Sequence, residues 1–290
     1  MARRIIECVA NFSEGRDSSV VDALAEAVRR GHGVALLHRT SDPDHNRSVL
    51  TFAGDPESVM AAAVRAVRVA AERIDLTRHQ GVHPRVGAAD VVPFVPVEAV
   101  SLEQCVALAH EAGREIWSTC GVPVYYYEAA ALRPDRRKLE AIRRGGFEAL
   151  RDDATEVPDR APDVGGPALH PTAGACIVGA RKFLVAWNVN LSGGTLDDAI
   201  AIAKRIRASS GGFPAVKALG LPLASRGQVQ VSVNLTDLDQ TPLHLVFEAI
   251  AVEAVRRGMT VVGSEIIGLV PRGALERAAE RFLRFENFDP

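Results

Sequence analysis

The sequence predicts an α+β fold of two α/β-sandwich units, each packing helices on one face of a mainly antiparallel sheet, with a cleft between the units. Three observations carry this. Short β-type runs alternate with helical stretches along the whole chain. Several β-type runs are separated only by a turn, which argues against a purely parallel doubly wound sheet and for split β-α-β units. The second half, from about residue 181, repeats the grammar of the first. A crevice between two such units is a natural ligand site.

Residues 5–10 are a short apolar run suited to a strand, and 11–15 (Asn-Phe-Ser-Glu-Gly) a turn. Apolar residues at helical spacing over 20–30 predict a helix ended by Gly31 and Gly33. Two β-type runs, 34–37 and 48–52, flank a polar loop around Pro43. Asp55-Pro56 then starts a helix reaching about Arg73, with Pro in its first turn. Residues 78–87 are polar and punctuated by Gly81, Pro84 and Gly87. Residues 91–97 are a strand whose two prolines predict a place near a sheet edge or end. Ser101 caps a helix to about Thr119, and 122–127 is a further strand. Residues 151–174, rich in Asp, Pro and Gly, are read as an irregular loop, either functional or disordered. Strands follow at 175–180 and 183–191, and the boundary between subdomains 1–180 and 181–290 is placed there. Beyond it come a helix (195–208), two strands (216–223 and 229–235), a helix opened by Pro242, an apolar run (261–270) and a last helix opened by Pro271.

With 290 residues, 47% hydrophobic and 24% charged, the chain is of ordinary globular composition and long enough for two domains. Its 34 basic and 36 acidic residues leave a net charge of −2 with no basic block, which argues against nucleic acid or an anionic membrane as partner. Cys8, Cys105, Cys120 and Cys176 include no Cys-x-x-Cys pair, which argues against a cysteine zinc site and suits a reducing compartment. The N-terminus lacks the apolar stretch of a signal peptide, and no uncharged run spans a bilayer, so a cytoplasmic protein is expected. Walker, dinucleotide and Gly-x-Ser-x-Gly motifs are missing, which weakens nucleotide and serine-hydrolase readings.

Among eight histidines, His83 stands out because Pro84 follows it and pushes it from helical backbone, beside Arg85. Such an imidazole is either an ordinary loop histidine or an acid–base group working near neutral pH. His79 and His83 lie four apart, but Gly81 and Pro84 argue against the helix a zinc pair needs; no metal is expected. The Gly165–Gly174 loop (Gly165, Gly166, Pro167, Ala168, Leu169, His170, Pro171, Thr172, Ala173, Gly174) lets backbone approach a flat ligand or is a plain surface connection. Arg47, Arg85, Arg181 and Lys182 are candidate carboxylate binders.

Taken in order, residues 7–15 (Glu-Cys-Val-Ala-Asn-Phe-Ser-Glu-Gly), Asn46-Arg47-Ser48-Val49, 78–88 (Arg-His-Gln-Gly-Val-His-Pro-Arg-Val-Gly-Ala), Pro123-Val124-Tyr125, 179–184 (Gly-Ala-Arg-Lys-Phe-Leu), 231–235 (Val-Ser-Val-Asn-Leu) and 261–265 (Val-Val-Gly-Ser-Glu) form a collinear set over nearly the whole chain. In these stretches the chain resembles the glutamate formiminotransferase family, the transferase portion of formiminotransferase-cyclodeaminase. The resemblance implies two ferredoxin-like subdomains, a homodimer, and transfer of a formimino group from N-formimino-L-glutamate to tetrahydrofolate, polyglutamylated as the acceptor. It implies that His83 is catalytic and that Gly165–Gly174 forms the folate loop. Two departures accompany it. This chain carries His38 and Thr40 where animal members have acidic residues, which leaves Asp42 or Asp44 as the acidic partner of His83. It also ends before any cyclodeaminase region, so a separate protein is expected for ring closure. Three alternatives stay open: the same fold with N-formyl-glutamate or 5-formyl-tetrahydrofolate as donor, a metal-dependent hydrolase using His79, His83 and Asp42, and a non-catalytic folate-binding protein.

Overall fold

Alternation along the first strand, β1 (Ile5–Phe12), sets the layers of the N-terminal part: Ile6, Cys8, Ala10 and Phe12 point one way, Glu7, Val9 and Asn11 the other. Helix α1 (Ser18–Arg29) follows, its first turn capped by Asp17, which accepts from the Ser19 amide. Strands β2 (Val34–Asp42) and β3 (Arg47–Gly54) form an antiparallel pair. Helix α2 (Pro56–Arg73) is capped by Asp55 with Pro56 in its first turn. Strand β4 (Ala89–Glu98) is nearly all apolar, and helix α3 (Leu102–Cys120) opens with a Ser101–Gln104 capping box. Strands β5 (Val124–Glu128) and β6 (Cys176–Ala180) complete a sheet ordered β2-β3-β1-β4-β6-β5. The computed structural model describes residues 3–43, 45–81, 84–223 and 226–285.

The order β2-β3-β1-β4, all antiparallel, is the ferredoxin-like split β-α-β motif. β6 and β5 extend it in parallel, so this sheet is mixed. Helices α1, α2 and α3 cover the face carrying Ile6, Phe52 and Phe94. Tyr126 points to that face, its hydroxyl donating to the His110 carbonyl of α3 at 2.9 Å. Tyr125 points to the other, where the Arg136 guanidinium lies 5.1 Å from its ring centre.

Three expectations are corrected here. β4 is an inner strand, between β1 and β6, despite Pro93 and Pro96. Pro96 falls beyond the last β6 pairing, at Phe94, and where the β1 register shifts, so its missing N–H is tolerated. Residues 151–156 are helical, the end of α5 (Gly146–Glu156), which follows the one-turn α4 (Leu139–Ile142). Helices on one face only does not hold for this unit either. The 134–163 segment covers the second face at its β5 end, tied down by Arg136 to Asp163 at 2.5 Å and by Asp163 to the Tyr126 amide at 2.8 Å.

Packing divides the chain into Met1–Arg181 and Lys182–Pro290. The second unit runs β7 (Val185–Ser192), α6 (Leu196–Ile206), β8 (Val216–Leu223), β9 (Gln228–Leu235), α7 (Leu243–Arg256), β10 (Thr260–Ile267) and α8 (Arg272–Leu283). Its antiparallel sheet, β10-β7-β9-β8, is the same ferredoxin-like order without the extension. Val185, Trp187, Val189 and Leu191 face its core, while Asn188 and Asn190 lie on the opposite face, where Gln230 donates to Asn190 at 2.9 Å.

Candidate active site

One end of the six-stranded sheet gathers the chemistry. β1 and β2 finish there and β3, β4, β5 and β6 begin, so the connecting loops converge. After α2 the chain buries Ile74 and Leu76, and Asp75 accepts from the Thr77 amide at 2.9 Å and hydroxyl at 2.6 Å, closing a tight turn that delivers His79. Asn46, buried and left-handed at φ 47°, locks three loops together. Its side chain accepts from the Gly15 amide at 3.0 Å and donates to the Gln80 carbonyl at 3.1 Å, and its own carbonyl meets His79 Nε2 at 3.0 Å.

Phe12, Ser13, His45, Asn46, Arg47, His79, Arg85 and Asp90 line a depression at this end. Arg47 donates to Asn11 Oδ1; burial draws its pKa down to about 10, Arg143 adding to the effect and Asp90 and Asp42 opposing it. Arg85 clasps both Glu148 oxygens, at 2.8 and 3.2 Å, and donates to the His79 carbonyl at 3.2 Å. Asp90, 3% exposed at the root of β4, accepts from the Val86 and Gly87 amides at 2.8 and 3.3 Å and pairs with Arg143. It therefore fixes the segment directly after Arg85. Burial lowers the pKa of His79, so its imidazole is neutral at pH 7.

The sequence candidates fall in separate places. His83 and Asp44 lie outside the described residues. Arg47 and Arg85 share the depression. Arg181 sits at the opposite end of the sheet, after β6, where its amide donates to the Phe94 carbonyl at 3.2 Å and its charge acts on buried Glu7. Glu7 has its pKa raised by burial, with Arg181 opposing the rise. Lys182 belongs to the second unit and pairs with Asp237 at 2.8 Å and Asp239 at 3.6 Å. Burial alone would raise the Asp237 pKa, but Lys182, Gln240 and two backbone amides hold it down to about 2.

Gly165–Gly174 divides in two. Gly165, Gly166, Pro167 and Ala168 are exposed, and Gly165 packs close to the Trp117 indole, where a Cβ would come 2.5 Å from the ring. Leu169 is buried; Pro171 is exposed. His170 Nδ1 accepts from the Thr172 and Ala173 amides at 3.3 and 3.0 Å, and burial lowers its pKa. The Thr172 and Ala173 carbonyls accept from the Leu76 and Ala88 amides at 2.8 and 2.9 Å, and Gly174 bridges Gly87. The second half is thus sewn to the loop that carries His79 and Arg85.

Sequence reasoning missed Asn46 as a hub, and Asp90, Arg143 and Glu148 altogether. The Asn46 signal was an Asn in a Pro-containing turn, a residue type suited to left-handed backbone. The Asp90 signal was a lone acid opening an otherwise apolar strand. Among the described residues no three His, Cys, Asp or Glu side chains come together to hold a metal ion, and no helix is long and apolar enough to cross a membrane.

Residues 5–181 match the family model described as "Formiminotransferase domain, N-terminal subdomain", and 186–289 that described as "Formiminotransferase domain". The chain is 45% identical over 286 residues to a protein of Streptococcus pyogenes serotype M1 named glutamate formimidoyltransferase, covering 99% of this chain and 95% of that one. It is 44% identical over 287 residues to a Thermoplasma acidophilum protein of the same name, covering 98% and 94%. It is also 44% identical over 290 residues to the formimidoyltransferase-cyclodeaminase of Gallus gallus, spanning 98% of this chain and 53% of that protein.

Proposed function

Since the chain belongs to the formiminotransferase family, we propose that it moves the formimino group of N-formimino-L-glutamate to N5 of tetrahydrofolate. The observation that carries this reading is the near end-to-end likeness to two relatives named for that activity. The depression supports it because Arg47 and Arg85 line it, and their guanidinium groups are cationic donors suited to a carboxylate-bearing substrate.

In this reading N5 attacks the amidine-like carbon of the donor and must lose a proton. His83, neutral, takes that proton as the tetrahedral intermediate forms. As imidazolium it returns the proton to the departing glutamate nitrogen. Asp90, by holding the Val86 and Gly87 amides, keeps the neighbouring segment in place. Arg47 and Arg85 hold carboxylate oxygens at one end of the first sheet, with Arg181 and Lys182 as further carboxylate binders. Gly165–Gly174 receives the folate, its exposed first half offering bare backbone to a flat ring. The acceptor is polyglutamylated, and the enzyme is a cytoplasmic homodimer.

The test is a tetrahydrofolate-dependent assay run side by side with formimino-glutamate, formyl-glutamate and 5-formyl-tetrahydrofolate. Formation of 5-formimino-tetrahydrofolate from the first donor alone is the expected result. Turnover of a formyl donor in its place would replace this reading.

A further inference from the structure

Three residues that line the depression each carry a polar atom shut off from solvent and without a hydrogen-bond partner among the described residues: Arg47 Nε, Arg85 Nε and His79 Nδ1. Folded proteins rarely leave buried polar atoms unpaired; five more such atoms occur elsewhere among the described residues, and what sets these three apart is that their residues line one depression. Two are N–H donors, since a guanidinium has no acceptor. The third is an acceptor. His79 Nε2 faces the Asn46 carbonyl, which can only accept, so the ring proton sits on Nε2 and Nδ1 keeps its lone pair. Burial opposes protonation of this ring; the charges of Arg85 and Arg16 act in the same direction, and the bond to the Asn46 carbonyl and the charge of Glu14 act against them.

We propose that His79 is a substrate-recognition residue, its Nδ1 accepting a hydrogen bond from a substrate N–H while an oxygen beside that N–H is taken by the Arg47 and Arg85 donors. The proposal rests on the transfer reaction above, and both reactants carry the required pair. In the donor, the substituted nitrogen of glutamate adjoins its α-carboxylate. In the acceptor, a pterin ring N–H adjoins the ring carbonyl. The shared chemistry is an N–H next to an acceptor oxygen, and binding each compound separately tells which one His79 reads. The competing explanation is structural: His79 serves only to hold Asn46.

Two substitutions separate these roles. In His79→Gln the amide nitrogen reaches the Nε2 position and keeps the bond to Asn46, but no acceptor stands at the Nδ1 position. In His79→Asn the side-chain oxygen reaches the Nδ1 position, and the Asn46 bond is lost. Dissociation constants for formimino-glutamate and for tetrahydrofolate are measured by calorimetry on the full chain, with thermal unfolding alongside. We expect His79→Gln to weaken one ligand by about tenfold or more at an unchanged melting temperature, and His79→Asn to recover much of that loss. The ring-nitrogen NMR signal of Nδ1 should move when that same ligand is added to the wild type. The assignment falls if His79→Gln binds both compounds like the wild type and only His79→Asn is impaired. In that event a wild type that still transfers the formimino group leaves the proposed reaction standing. If the wild type binds neither compound, both readings fall.

Discussion

Replacing Asp90 by Ala tests how the segment after Arg85 is held. Asp90 is almost fully buried, and its carboxylate is shared by the Val86 amide, the Gly87 amide and the Arg143 guanidinium, itself 13% exposed. Removal leaves a buried cation without its counter-charge, which costs about 3–5 kcal/mol in proteins. The two backbone amides add about 1 kcal/mol each where water cannot reach them. A loss of about 5–7 kcal/mol is therefore expected, a fall of roughly 10–28 °C in the melting temperature of a unit this size. Urea and thermal unfolding measure it. Pairing the change with Arg143→Met in a double-mutant cycle isolates the ionic part, which should couple the two sites by 1 kcal/mol or more, on the order of what buried networks show. An Asp90→Ala protein within about 1 kcal/mol of wild type, the size of an ordinary surface change, would refute the clamp.

Three further outcomes follow from the same reasoning. His83→Ala should retain its unfolding curve and folate binding while its transferase rate falls about 10²–10⁴-fold, measured as 5-formimino-tetrahydrofolate formed. Asp237→Asn removes a carboxylate held down to about 2, so the stabilisation is present above the usual carboxylate range near 4 and is lost as pH falls towards 2. With Lys182 half-exposed, the gap between wild type and variant in urea should be about 1 kcal/mol at pH 7 and shrink on acidification. Gly174→Ala puts a side chain at φ 70° and a Cβ 2.2 Å from the Val86 carbonyl oxygen, so unfolding by heat should show a loss of about 2 kcal/mol or more.

What was legible in the sequence was whatever is decided locally. Asp55-Pro56, Ser101 and Thr195 announce helix starts because a cap and its partners lie within four residues. The split β-α-β order followed from runs bounded by Gly and Pro. β4 was misplaced because proline content speaks of hydrogen bonding, whereas its inner position is set by seven consecutive buried residues, Ala89–Val95, all apolar but Asp90. Residues 134–150 went unread and 151–156 were taken for loop because the short helices here are held by distant partners, Arg136 by Asp163 and Arg160 by the Ala141 and Arg144 carbonyls. At the site, Arg47 and Arg85 stood out within motifs, but the meeting of His79 with Asn46, 33 residues away, exists only once three loops converge.

The stitching of residues 172–174 to Leu76 and Ala88 also bears on where the chain can change length. An extra residue among the exposed positions 165–168 would bulge outward and be absorbed. One placed between Thr172 and Cys176 would slide β6 one step along β4, turning Ile177 and Val178 to opposite faces of the sheet. Natural variation in the size of this connection should therefore gather at its glycine-rich tip and stop short of the second half.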